Sequence, residues 1–460
     1  MRGVCLGVLL VVVGVVGVAR AVLADNGAAG LRAGAAKRSL VPPFPTQLAG
    51  YYDRTEPFSG VHAPLYARAL VFDNGETALA VVGVDLLCVS REIVEPAREA
   101  IEAATGIPVD HVLICAGHIH SAPSGFCGGS MFTSPVDDRV VAFLVEQIVG
   151  AATDAHAALQ PAVIGYGAGH LDTISRNRQR HNDTLDPEVG VLRVQAASSR
   201  KVIATLFNFA GHPVIQNEHN LEIDGGYPGH AASTVESVLG GVALFTQGAC
   251  GNVTMIRSGS SFDEIARIGN VLAGEVIKTA ESIRPQSTET PLMSVYQPVE
   301  VTARRFPPTA EAKAAEDTAR KAYDDGKAQG IDEVALRQLE RELDDAEWAH
   351  RLAAYTEANP EVYESARHAS VQVVQIGPLV LVGVPGELFV EYGLEMKQRV
   401  RAMAKRPMML VGFANDYLGY LVTPRAIAVG GYEQASARVD ENAGRTLTEA
   451  AMAIVETQIK

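Results

Sequence analysis

Between residues 66 and 87 two apolar runs, YARALVF and TALAVVGVDLL, flank the polar stretch opened by Asp73-Asn74-Gly75. Strand-length apolar runs broken by an Asn-Gly pair predict a β-hairpin, and the nearly unbroken second run predicts a central strand. A helix over 91–104 follows, closed by Gly106 at a C-terminal cap, and HVLICAG at 111–117 predicts another buried strand. The theme repeats with KVIATLFNFAGH at 201–212 and GVALFTQGACGN at 241–252, the latter ending in a glycine-rich loop. Ser261 and Glu264 have capping-box spacing, ahead of a helix whose stripe is Ile265, Ile268, Leu272 and Val276. Strands resume with VQVVQIG and LVLVGVPGE between 371 and 387. The alternation predicts an α/β fold of mixed β-sheets flanked by helices, with polar loops at the strand ends where sites collect.

Two segments break this rhythm. Residues 25–47, rich in Ala, Gly and Pro, predict a flexible lead-in, and 309–367 turns to Ala, Glu, Lys, Arg and Leu with Gly326 and Gly330 between two helical halves. The second reads as a helical hairpin inserted between sheet segments, its charges on solvated faces and with no ligand set.

The first 24 residues carry Arg2 and then VCLGVLLVVVGVVGVA, with small residues at ARA (19–21) and VLA (22–24) for cleavage. This predicts a signal peptide over 1–24 and a secreted or periplasmic chain with one catalytic domain over 25–460. The alternative is an uncleaved anchor, although the run falls short of the roughly 20 residues that span a bilayer. No second apolar stretch of that length is expected. Export would leave Cys88, Cys115, Cys127 and Cys250 able to form one or two disulfides. With 39 basic against 53 acidic residues, a net charge of -14 and no basic cluster, the chain lacks the stripe that nucleic-acid binding needs.

The candidate chemistry gathers at strand ends. His118 and His120, in CAGHIHSAPS, stand two apart, so in an extended segment both project to one side. His212, in NFAGHPV, ends another strand, and Glu387, in GVPGELF, follows an apolar run where a carboxylate is costly unless paired or bound to a cation. Histidines converging from several strands suit a catalytic zinc, which takes three protein ligands and a water. A serine hydrolase is the competing enzyme class, but no GxSxG elbow occurs.

Through these residues the sequence resembles the neutral, non-lysosomal ceramidases in their N-terminal catalytic domain. The resemblance runs from SGVHAPLYARALVF at 59 through GHIHSAPSG, SRNRQ, DPEVGVLRV, NFAGHP, TQGACGNV and VPGELF to ANDYLGYLVTP at 414 and GGYEQAS at 430. It implies zinc held by His118, His212, Glu387 and Tyr420, with His120, Tyr432 and Arg178 facing the substrate amide. Tyr417 lies three residues before Tyr420, but only Tyr420 stands twelve before Tyr432, as the resemblance requires. It further implies hydrolysis of a ceramide-like amphiphilic amide to a fatty acid and an amine, possible contact with a membrane surface or lipid micelles, and no nucleic-acid partner. Three departures accompany it: the family loop GDVSPN reads GNVTMI at 251–256, the opening before the first strand matches poorly, and Lys460 follows before the immunoglobulin-like domain of that family. The substrate is therefore also open to other amides or esters, and a catalytically relaxed binding protein is the reading from another class.

Overall fold

A computed structural model describes residues 30–127, 134–179, 182–285, 290–360 and 368–459. The expected leader over 1–24 and the tail of the helical insertion, 361–367, lie outside them.

Eight strands form the larger sheet: β1 (Arg32–Ser39), β2 (Tyr66–Asp73), β3 (Ala78–Val84), β4 (Val112–Ala116), β5 (Gln160–His170), β6 (Glu188–Ala196), β7 (Val202–Phe209) and β8 (Val242–Gln247). Their spatial order is β8-β7-β6-β5-β1-β2-β3-β4. Only the outermost pairs, β3 with β4 and β7 with β8, are parallel. Each is a strand-helix-strand crossover, through α1 (Arg91–Thr105) and α3 (Gly226–Leu239). A second sheet joins β9 (Leu292–Glu300), β10 (His368–Ile376), β11 (Leu379–Gly383) and β12 (Met408–Val411), with β11 and β12 again parallel around α7 (Val390–Ala404).

The inner faces of both sheets share one core, in which Leu113, Leu206 and Leu244 meet Ile376, Leu381 and Met409. The larger sheet curls to allow this: a Cβ built on Gly83 of β3 would stand 3.0 Å from Leu244 of β8. Helices cover the outer faces. α1 and α2 (Asp138–Ala157) pack on β1–β4, α3 and α4 (Phe262–Ser282) on β5–β8, and α7 with α8 (Ala443–Gln458) on the second sheet. The alternation along β11 shows the division, with Leu379 and Leu381 facing the shared core and Val380 and Val382 the helices.

Several expectations are corrected. The supposed flexible lead-in contains β1, paired over its full length with β2. Its small residues are what place it there, because a Cβ on Gly34 would come within 2.1 Å of the Ala155 carbonyl of α2. That helix is long and apolar enough to cross a membrane by length and composition, against the expectation of no second such stretch, but here it packs on β1 and β2. Ser261 does cap α4 by accepting from the Glu264 N–H, whereas the Glu264 carboxylate turns outward to the Ser258 N–H and Arg267, so the box is not reciprocal. Cys88, Cys115, Cys127 and Cys250 are buried and form no disulfide with one another.

The inserted hairpin is present as α5 (Thr309–Gln329) and α6 (Glu333–Ala358). Gly330 alone makes the turn, in the left-handed conformation at φ 63°, while Gly326 lies within α5.

Candidate metal centre

His118, His212 and Glu387 each follow the carboxyl end of a parallel strand, β4, β7 and β11, and the three elements meet at one end of the shared core. Backbone pairing locks them together: the Asn415 N–H reaches the Ile114 carbonyl at 2.8 Å and the Gly412 N–H the Gln247 carbonyl at 2.8 Å. One potential ligand atom from each lies within 4.8 Å of the other two, and all three residues are buried.

Hydrogen bonds fix the direction of every ring. His118 Nδ1 lies 2.8 Å from the Leu87 carbonyl, His212 Nδ1 2.7 Å from that of Cys250, and His120 Nδ1 3.1 Å from that of Gly50. A carbonyl only accepts, so each Nδ1 carries a proton and each Nε2 is the nitrogen left to face the centre. Those Nε2 atoms converge: His118 Nε2 and His120 Nε2 are 3.2 Å apart, and His212 Nε2 lies 2.8 Å, within hydrogen-bond reach, and His118 Nε2 3.7 Å from Glu387 Oε2. Burial pushes the His118 pKa down to about 3 despite the opposing pull of Glu387, and burial with the neighbouring imidazoles lowers that of His120. His118 and His120 are therefore neutral at pH 7. Facing lone pairs and a carboxylate repel unless a cation or proton lies between them. The imidazoles of His118 and His212 and the Glu387 carboxylate fit a divalent cation such as zinc in number and type, and the carbonyls behind the rings are the expected outer support.

The HxH reading needs a correction in its geometry. His118 is not extended but left-handed, at φ 65°, a conformation costly for a residue with a Cβ. Stacking on Phe413, with centroids 4.2 Å apart, and the bond to Leu87 hold it there. The rings of His118 and His120 then meet edge to face instead of side by side.

Both tyrosines are close, in different ways. The Tyr417 hydroxyl donates to Glu387 Oε1 at 2.5 Å. Tyr420 pairs in register with Glu387 across two short parallel strands, stacks on His212 with centroids 6.1 Å apart, and accepts at its hydroxyl from Arg178 at 2.9 Å. Burial raises both phenols well above their ordinary pKa, so each keeps its proton unless a cation displaces it. Arg178 also donates to the Gly251 carbonyl at 2.8 Å and pairs with buried Glu433, and its guanidinium lies 6.0 Å from the Tyr432 ring. The fold thus brings together all seven residues singled out from sequence.

Sequence reasoning missed the supports. Gly50, at φ 106°, has no room for a Cβ, which would fall 2.7 Å from His120 Nδ1. Asn252, the departure in the GNVTMI loop, is fully buried; its side chain accepts from the Val390 N–H at 2.9 Å and donates to Glu391 at 3.0 Å. Glu391 is thus supplied with a neutral donor where the family loop has a carboxylate. Trp348 of α6, whose one sequence signal was being the single tryptophan, reaches Tyr432 with centroids 5.7 Å apart.

Fold and site together define an α/β protein with a buried two-histidine, one-carboxylate centre suited to a divalent cation. The chain belongs to the neutral/alkaline non-lysosomal ceramidase family, whose N-terminal profile matches residues 41–255 and 315–442. It is 24% identical to the neutral ceramidase of Mycobacterium tuberculosis, over 84% of this chain and 70% of that protein. Identity to the neutral ceramidase of Pseudomonas aeruginosa is also 24%, over 84% of this chain and 66% of that one. The crystal structure of the Pseudomonas aeruginosa neutral ceramidase superposes with a TM-score of 0.74 at 20% identity, covering 93% of this chain and 74% of that one. A structure described as ceramidase complexed with C2 gives 0.72 at 19% identity, covering 93% of this chain and 75% of that one.

Proposed function

We propose that this chain is a zinc-dependent amide hydrolase that cleaves ceramide or a related N-acyl lipid to a fatty acid and an amine. The observation that carries the proposal is the convergence of His118, His212 and the Glu387 carboxylate in one buried cluster, with His120 Nε2 3.2 Å from His118 Nε2. Family membership and the names of the relatives support the substrate class.

His118, His212 and Glu387 would hold the ion, with Tyr420 as fourth ligand once its hydroxyl turns from Arg178. Bound zinc lowers the pKa of a coordinated water to about 7 and polarises an amide carbonyl. His120, neutral and with Nε2 facing the centre, would accept the water's proton as the C–O bond forms and the carbonyl becomes an oxyanion, then pass it to the amine nitrogen as the carbonyl re-forms and the C–N bond breaks. Tyr432, whose phenol carries its proton at neutral pH, would donate to the developing oxyanion. Arg178, anchored to Gly251 and Glu433, orients the carbonyl or headgroup.

The test is zinc content of the purified chain beside His118→Ala, with hydrolysis of a fluorescent N-acyl sphingosine on the same samples. About one zinc per chain, lost together with activity in the variant, is expected; no stoichiometric metal in the wild type would sink the mechanism. Zinc without ceramide turnover would redirect the reading to other amides or esters. Export of the chain and cleavage of its leader are part of the same proposal, checked by N-terminal sequencing of the secreted form.

A further inference from the structure

A cavity of about 720 Å³ opens beside the centre, with Arg178, Tyr432 and Glu433 on one side and α6 on the other. Of the eight α6 residues on that wall, Arg341, Asp344 and Arg351 among them, only Trp348 is apolar. Its ring stands between Tyr432 and Tyr52, with centroids 5.7 and 6.5 Å away, and Arg351 lies 4.9 Å over Tyr52 and 5.7 Å over Trp348. Arg341, Asp344 and Arg351 have no ion-pair partner among the described residues; Arg341 bonds Gln338 and Arg351 contacts the two rings.

A long alkyl chain laid along this wall would take water from those charged groups and return no hydrogen bonds, a cost that discriminates against it. A compact group with hydroxyls would replace that water, and one flat face of it could rest on Trp348. The inserted hairpin therefore narrows the substrate. We propose that the amine part of the amide, where it lies beneath α6, is short and hydroxylated in place of a second long alkyl chain, and that Trp348 is the surface it packs against. This builds on the amidase reading above and names its substrate class.

The full chain loaded with zinc would be given two amides sharing one acyl chain, N-dodecanoyl serinol and N-dodecanoyl sphingosine. As the single tryptophan, Trp348 supplies a binding signal independent of turnover. The serinol amide is expected to be cleaved with a kcat/KM about tenfold higher or more, and to change the Trp348 emission saturably. Replacing the charges in an Arg341→Leu, Asp344→Leu variant of unchanged circular dichroism should move the ratio about tenfold towards the sphingosine amide. A wild-type preference for the sphingosine amide, or an unmoved Trp348 signal while the serinol amide is turned over, overturns the inference and leaves the amidase reading standing. Turnover of neither amide overturns both.

Discussion

At the residue scale the centre is made as much by neighbours as by ligands. The side chains that converge were legible, since histidine and glutamate at strand ends are unusual residues in unusual places. The carbonyls of Leu87 and Cys250, which set the tautomers, were not, because any residue carries a carbonyl. Nor was the left-handed turn at His118, which depends on Phe413 packing from the distant loop after β12. The Tyr417 hydroxyl at Glu387 Oε1 is a support of the same kind. Tyr417→Phe is expected to weaken zinc binding roughly 10–100-fold, as measured by competition with a chromogenic chelator, while leaving stoichiometry at one. Asn252 makes a sharper prediction. Asn252→Asp restores the family residue but sets a carboxylate against Glu391, 3.0 Å away, and removes the donor. A loss of about 1–3 kcal/mol in urea unfolding is expected, recovered when Glu391→Gln is added. If the single variant is as stable as the wild type, Asn252 does not compensate for Glu391.

At the scale of elements, long apolar runs read correctly, and the misses have a common cause. β1 reads as a loop because Ala and Gly carry little strand propensity, yet those residues are what let α2 lie close upon it. Gly34→Val should therefore cost about 1–3 kcal/mol or reduce soluble yield, whereas the same change at Gly30, where a Cβ meets nothing within 4 Å, should be nearly silent in a thermal melt. The start of α4 gives a pH prediction. Hydrogen bonds from Arg267 and the Ser258 N–H hold the Glu264 pKa down to about 2, from 4.5. A lowered folded-state value means the stabilisation is full above pH 4.5 and is lost as pH falls towards 2. Glu264→Gln should melt lower than the wild type at pH 7, and the two melting curves should draw together as the pH approaches 2. A gap that stays constant across that range would show that the carboxylate's charge is not what stabilises the loop. The hairpin shows the converse lesson: its charge pattern identified two solvated helices, but charge patterning alone could not tell that one face of α6 closes a cavity beside Tyr432.

At the scale of the whole molecule, the centre is the point where the two sheets are joined. His118 and His212 belong to the larger sheet and Glu387 to the smaller, so an ion held by all three links elements that otherwise meet through the shared core and a few backbone bonds. Without an ion, the folded state keeps a carboxylate and converging imidazole nitrogens together in a buried site. Unfolding relieves that conflict, so removing the ion lowers stability through the native state. Binding to the folded chain alone stabilises by RT ln(1 + [L]/Kd), about 2.7 kcal/mol at a hundredfold excess over Kd. Calorimetry of the chelator-treated chain should therefore show a melting point lower by a few degrees, restored by zinc and not by magnesium, which prefers an octahedron of oxygens. His118→Ala and Glu387→Gln should each melt independently of zinc, because either change leaves only two of the three clustered ligand groups, too few to hold the ion. Equal stabilisation by magnesium, or a zinc-dependent rise that persists in both variants, would place the cation elsewhere on the molecule.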